Sequence, residues 1–174
     1  MKHYVNTDEI RKKIPLFHAG DEVYLSGNVY CARDAAHKRI AALINENSPL
    51  PFPLQDAIIY YCGPTPAKPG AVIGSAGPTT SSRMDRFMPL LLEQGLAATV
   101  GKGGRNKAVN EEMIKHGAVY LVAMGGAGAI AAKCIVSCEV IAFPELGCES
   151  VKKMCFSDFP LLVGNDMYGG SLFN

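Results

Sequence analysis

The sequence predicts a single-domain α/β layer protein. Three observations carry that prediction. Short apolar runs recur along the chain, each closed by glycine or proline, as strands are. Between them lie stretches whose apolar residues fall at helical spacing. The 174 residues show no internal repeat, low-complexity tract or linker, and this length suits one domain with a real core. Alternating strands and helices of this kind pack as α/β layers.

The elements follow in order. The first ~25 residues read as an amphipathic lead-in. Asp21–Gly27 reads as a short strand ending at a turn glycine. Asp34–Asn45 places Ala35, Ala36, Ile40, Ala41, Leu43 and Ile44 at helical spacing. It stops in a polar run ahead of Pro49, Pro51 and Pro53. Ala57–Cys62 is a β-rich run closed by Gly63-Pro64, and Ala71–Ile73 is another. Gly77–Asp85 forms a turn into a helix expected from about Arg83 to Gln94, with Pro89 kinking it and Gly95 closing it. Ser82 and Asp85 resemble a capping box there. Next come a strand at Ala98–Val100, the loop Gly101–Arg105, a helix at Glu111–His116 and a continuous apolar strand at Ala118–Met124. Gly125-Gly126-Ala127-Gly128 opens a small-residue helix to Lys133, and further strands are expected at Ile135–Phe143 and around Leu161–Val163.

Composition narrows the function classes. Hydrophobic residues make up 48% and charged ones 19%, which excludes a disordered chain. A net charge of +1 gives no broad field for nucleic acid or an acidic membrane, so basic residues must act at particular places. The N-terminal residues turn polar at once, and no apolar run nears the ~18 residues of a membrane span. A cytoplasmic protein is expected. Six cysteines, Cys31, Cys62, Cys134, Cys138, Cys148 and Cys155, contain no Cys-x-x-Cys pair. They read as reduced, mostly buried thiols rather than as ligands of a zinc ion or an iron–sulfur cluster.

Three segments could do chemistry. Gly77-Pro78-Thr79-Thr80-Ser81-Ser82-Arg83-Met84-Asp85 brings free N–H groups, four hydroxyls and a guanidinium fork together at a helix start. That combination suits a carboxylate or another anion and exceeds what capping needs. Gly101-Lys102-Gly103-Gly104-Arg105 offers close backbone approach and a point charge, without Walker A spacing; a solvated glycine turn is the plainer reading. In Cys31–Arg39, Asp34 can cap the helix while Arg33 projects from the preceding loop, and His37 sits one turn in. A partly buried helix histidine beside a wet Lys38-Arg39 face is the plainer reading of that stretch. A fourth motif, Gly126-x-Gly128-x-x-Ala131, matches a dinucleotide fingerprint, with Glu149 about twenty residues later. The sequence after Ala131 is too short for a full dinucleotide-binding domain, so tight helix–sheet packing is expected instead.

In this order the segments make the chain resemble the C-terminal (β) part of class I fumarases and the β subunits of related dehydratases. The stretches that carry the resemblance are Arg33–Arg39, Gly77–Asp85, Gly101-Lys102-Gly103, Tyr120–Ala127 and Phe143–Gly147, spread over nearly the whole chain. The resemblance implies a swivelling β/β/α domain whose site is completed by an α subunit. That subunit holds a [4Fe-4S] cluster, and an α2β2 assembly fits. It further implies that Arg33, Arg83 and Lys102 clamp a C4 dicarboxylate, that Thr79 acts at the carbon-bound proton, and that Thr80 hydrogen-bonds the substrate. Elimination beside a carboxylate builds enolate-like charge there, and each preorganised cationic donor contributes about 3 kcal/mol against it. Ala35-Ala36-His37 and Arg83-Met84-Asp85 look more like fumarase than like L(+)-tartrate dehydratase. Reversible hydration of fumarate to malate is therefore the expected reaction.

Overall fold

The computed structural model describes residues 1–123 and 128–173. Its seven strands are β1 (Lys2–Asn6), β2 (Glu22–Cys31), β3 (Ile58–Tyr60), β4 (Ala98–Gly101), β5 (Val119–Val122), β6 (Ile135–Ala142) and β7 (Val151–Asn165). The α-helices are α1 (Ile10–Lys13), α2 (Asp34–Asn45), α3 (Met88–Glu93), α4 (Lys107–Lys115) and α5 (Gly128–Cys134).

One sheet holds the strands in the order β1–β2–β3–β4–β5–β7–β6. Strands β1 to β5 run parallel, joined by helical crossovers, whereas β7 runs antiparallel to β2, β5 and β6. Because β7 pairs with both β2 and β5, the run β2–β3–β4–β5–β7 returns on itself. Successive strand residues point to opposite faces, and here both faces are buried. Ile58, Tyr60 and Cys62 enter one core with Val100, Leu121, Met154 and Phe156. Ile59 and Tyr61 enter the other, with Ile40 of α2, Leu91 of α3 and Met113 of α4.

The helix expected at Asp34–Asn45 forms with those bounds. Other expectations need correction. The lead-in contains β1 and short helical turns, and Asp21–Gly27 is only the first half of β2. That strand continues past a bulge between Leu25 and Gly27, because β7 pairs along both halves. Ala71–Ile73 is no strand; it lies in a largely exposed loop rich in proline and glycine. The helix expected from Arg83 to Gln94 splits into a 3-10 stretch, Ser81–Phe87, and α3. Pro89 sits in the first turn of α3, where its missing N–H breaks no helical bond, so it starts a helix rather than kinking one. α4 starts earlier than expected because the Asn106 side chain accepts from Val109 N at 2.8 Å. Residues 124–127, the end of the expected Ala118–Met124 strand and most of the Gly125–Gly128 turn, lie outside the described residues.

Candidate active site

The carboxyl ends of three adjacent parallel strands build the site. Arg33 follows β2, Tyr61 follows β3 and Lys102 follows β4. The carboxyl ends of parallel strands are where ligands bind in closed as in open parallel sheets. The Thr79–Arg83 turn is laced onto this edge. Thr79 N donates to Tyr61 O at 2.7 Å, Lys102 N to Thr79 O at 3.3 Å, and Ser81 N to Lys102 O at 3.0 Å. Thr79 is half-buried, while Thr80, Arg83 and Lys102 are exposed. Gly101 makes this approach close, since a Cβ there would fall on Ser81 Oγ.

The two arginines meet through α2. Arg83 donates from Nε and Nη2 to the two oxygens of Asp34, at 3.2 and 2.8 Å, with its side chain still 49% exposed. Arg33 lies 3.7 Å from Glu149 and 3.9 Å from Asp34 through Nε, its side chain 24% exposed. Asp34 thus grips the Arg83 fork bidentately, whereas Arg33 Nε makes no hydrogen bond to either carboxylate. Phe143, in the left-handed region at φ 53°, turns the chain into the segment that brings Glu145 to Arg39 at 2.5 Å and Glu149 to Arg33.

His37 is not at the surface of this edge. Fully buried, it packs edge-on to Tyr61 and against Phe87, and its Nδ1 lies 2.8 Å from Arg33 O. Burial lowers its pKa to about 4. The neutral ring donates Nδ1–H to that carbonyl, which holds the Arg33 backbone.

The expected capping box does not form. Thr80 occupies the cap position without a side-chain cap bond, and Asp85 turns inward to Arg105. Arg105, read from sequence as part of a glycine turn, is buried beneath the site. It donates from Nε to Asp85 at 2.7 Å and from Nη1 to Tyr61 OH and Thr99 Oγ1, both at 2.9 Å. Burial opposes its charge, yet Tyr61 and Asp85 outweigh that opposition and leave its pKa raised. A buried ion pair joining residues twenty apart leaves no periodic trace in sequence, so the pairing of Asp85 with Arg105 is not legible there.

All six cysteines are free, but they are not mostly buried as expected: Cys31 and Cys62 are buried, Cys134, Cys138 and Cys155 are half-buried, and Cys148 is exposed. Among the described residues no three His, Cys, Asp or Glu side chains gather as metal ligands. Gly126 of the fingerprint lies outside the described residues. Gly128 instead accepts from Ala76 N at 3.2 Å and packs α5 against the segment leading to Thr79.

The sequence profile of the Fumarase C-terminus family matches residues 2–174. Over 172 residues the chain is 40% identical to fumarate hydratase 2 of Leishmania major, covering 95% of this chain and 30% of that protein. It is 35% identical over 167 residues to the anaerobic class I fumarate hydratase of Escherichia coli, again covering 95% of this chain and 30% of that protein. A putative L(+)-tartrate dehydratase subunit beta of Methanocaldococcus jannaschii is 38% identical over 172 residues, covering 94% of this chain and 87% of that protein. The chain thus spans about a third of the fumarate hydratases it matches and most of the dehydratase subunit. By profile and by identity, this chain belongs to the Fumarase C-terminus family.

Proposed function

We propose that this chain is the β subunit of a cytoplasmic [4Fe-4S] hydro-lyase that interconverts fumarate and L-malate. The observation that carries this reading is the gathering of Arg33, Thr79, Thr80, Arg83 and Lys102 at one strand edge. Three cations over two hydroxyls suit a small dicarboxylate far better than a neutral or cationic ligand. The cluster belongs to a partner α subunit, where it supplies Lewis acidity to the substrate hydroxyl.

The residues of this chain handle the carboxylates and the proton. Arg83 exchanges Asp34 for a substrate carboxylate without changing the geometry of its fork. Arg33, near Glu149 but with its Nε unpaired, takes the other carboxylate, and Lys102 adds a mobile point charge. As the carbon-bound proton leaves, negative charge grows on the adjacent carboxylate, and these fixed donors stabilise it more than they stabilise the ground state. Thr79, half-buried with its backbone tied on both sides, stands at that carbon, and Thr80 hydrogen-bonds the substrate. A threonine hydroxyl removes a proton only when a neighbouring base activates it, so its activator comes from the substrate or the partner. Swivelling of a β/β/α domain against the α subunit admits substrate.

Arg83→Ala tests the clamp. With the α subunit bound, loss of this donor lowers malate turnover about 100-fold or more. The expected result includes co-purification of the two subunits, which separates loss of the clamp from loss of the complex. Undiminished turnover in that complex removes Arg83 from the site. The name of the M. jannaschii relative favours one second reading, dehydration of L(+)-tartrate to oxaloacetate by the same clamp.

A further inference from the structure

We propose that Arg105 is a positioning residue whose buried guanidinium sets the spacing between the Thr79–Arg83 turn and the Lys102 loop. The side chains of Arg105 and Asp85 are 0% and 5% exposed, so the pair works away from solvent screening. The fork reaches three segments at once: Asp85 on the turn, Tyr61 after β3 and Thr99 in β4. Its plane also lies over the Tyr61 and Tyr120 rings, 5.2 and 5.3 Å from their centroids, which adds β5. The second oxygen of Asp85 accepts from Asn106 N at 2.9 Å, so turn and loop are gripped from both sides of the arginine.

Tyr120 extends the grip to the ligand edge. Its single proton goes to Gly103 O at 2.7 Å, so Ser81 Oγ, also at 2.7 Å, donates to it. One phenol therefore ties the residue after Thr80 to the residue after Lys102. None of the hydrogen-bond partners of Arg105 lies on α2, which carries the Arg33 side of the clamp. Arg105 thus fixes the Thr79–Arg83 turn and the Lys102 loop relative to each other, within the half of the site that excludes Arg33. A lysine could keep the charge but not the three-way fork.

The catalytic consequence rests on the clamp reading above; the geometric one does not. Arg105→Lys in the full chain is followed by amide hydrogen exchange. The amides of Thr79, Ser81 and Lys102 are expected to exchange about tenfold faster or more, while His37 N in α2, bonded to Arg33 O at 2.8 Å, is unchanged. In the complex with the α subunit, kcat for malate is expected to fall about 10- to 100-fold at nearly unchanged KM, because misplacement harms the transition state more than binding. Asp85→Asn, which keeps the shape and one acceptor, gives the same selective pattern if the lysine variant folds poorly. Uniform acceleration of all amides, or none, overturns the proposal, as does wild-type kcat in a complex showing selective loosening. A wild-type complex inactive on every hydroxy-diacid sinks the clamp reading, and amide exchange still decides the role of Arg105.

Discussion

His37 lies between Tyr61 and Phe87 with no solvent exposure, and burial drops its pKa to about 4. An unfolded histidine titrates near 6.5. Between those values the unfolded chain binds a proton that the folded chain refuses. The contribution of His37 is therefore fully present above about pH 6.5 and is lost as pH falls toward 4, by about 3 kcal/mol in all. His37→Gln keeps a donor for Arg33 O and removes the titration. Urea denaturation at pH 7 and pH 4 should show wild type losing about 3 kcal/mol more than the variant. Parallel losses in the two proteins would place the acid sensitivity elsewhere. The same geometry explains why a residue beside the Arg33 motif holds the Arg33 backbone rather than facing solvent.

Arg33 and Gly63 belong to the ends of different strands, β2 and β3, and the fit between those ends sets where the guanidinium lies. A Cβ on Gly63 would stand 2.6 Å from Arg33 Nη1 and 2.8 Å from Cδ. The arginine side chain is partly exposed and can swing away, so Gly63→Ala should shift Tm by less than about 4 °C. It should still lower kcat/KM of the assembled enzyme about tenfold or more, because the donor is misplaced. Wild-type kcat/KM in the folded variant would detach Arg33 from substrate binding. At this scale the sequence was partly legible. α2 could be read because its apolar spacing and polar stop agree, and the Thr79–Arg83 turn because four hydroxyls and an arginine exceed any capping need. β7 was read only around Leu161–Val163, since its two halves face different neighbours and Pro160 and Gly164 interrupt its pattern. The ties of Arg83 to Asp34 and of Arg105 to Asp85 span 49 and 20 residues, and no local rule predicts which distant carboxylate an arginine will find.

Taken whole, the molecule leaves the candidate site open to solvent. Thr80, Arg83 and Lys102 face outward, and solvent beside them would weaken every interaction on which charge stabilisation depends. On the proposed reading, elimination next to a carboxylate calls for a site from which water is excluded, and a partner covering this edge would supply it. The fumarate hydratases it matches are about three times longer than the stretch they share with this chain, whereas the dehydratase subunit is of similar length. The proposed reading, a β-type chain working with a separate α subunit, is tested directly by activity. The expected outcome is that the chain alone turns over neither malate nor tartrate, and that co-expression with a cluster-bearing α subunit, purified without oxygen, restores activity. Fumarate absorbance on adding L-malate, set against oxaloacetate formed from L(+)-tartrate, distinguishes the two substrates in the same preparation. Activity on malate establishes the fumarase reading, and activity confined to tartrate transfers the same clamp to the dehydratase. An intact complex that acts on neither would mean that Arg33, Arg83 and Lys102 grip a different anion.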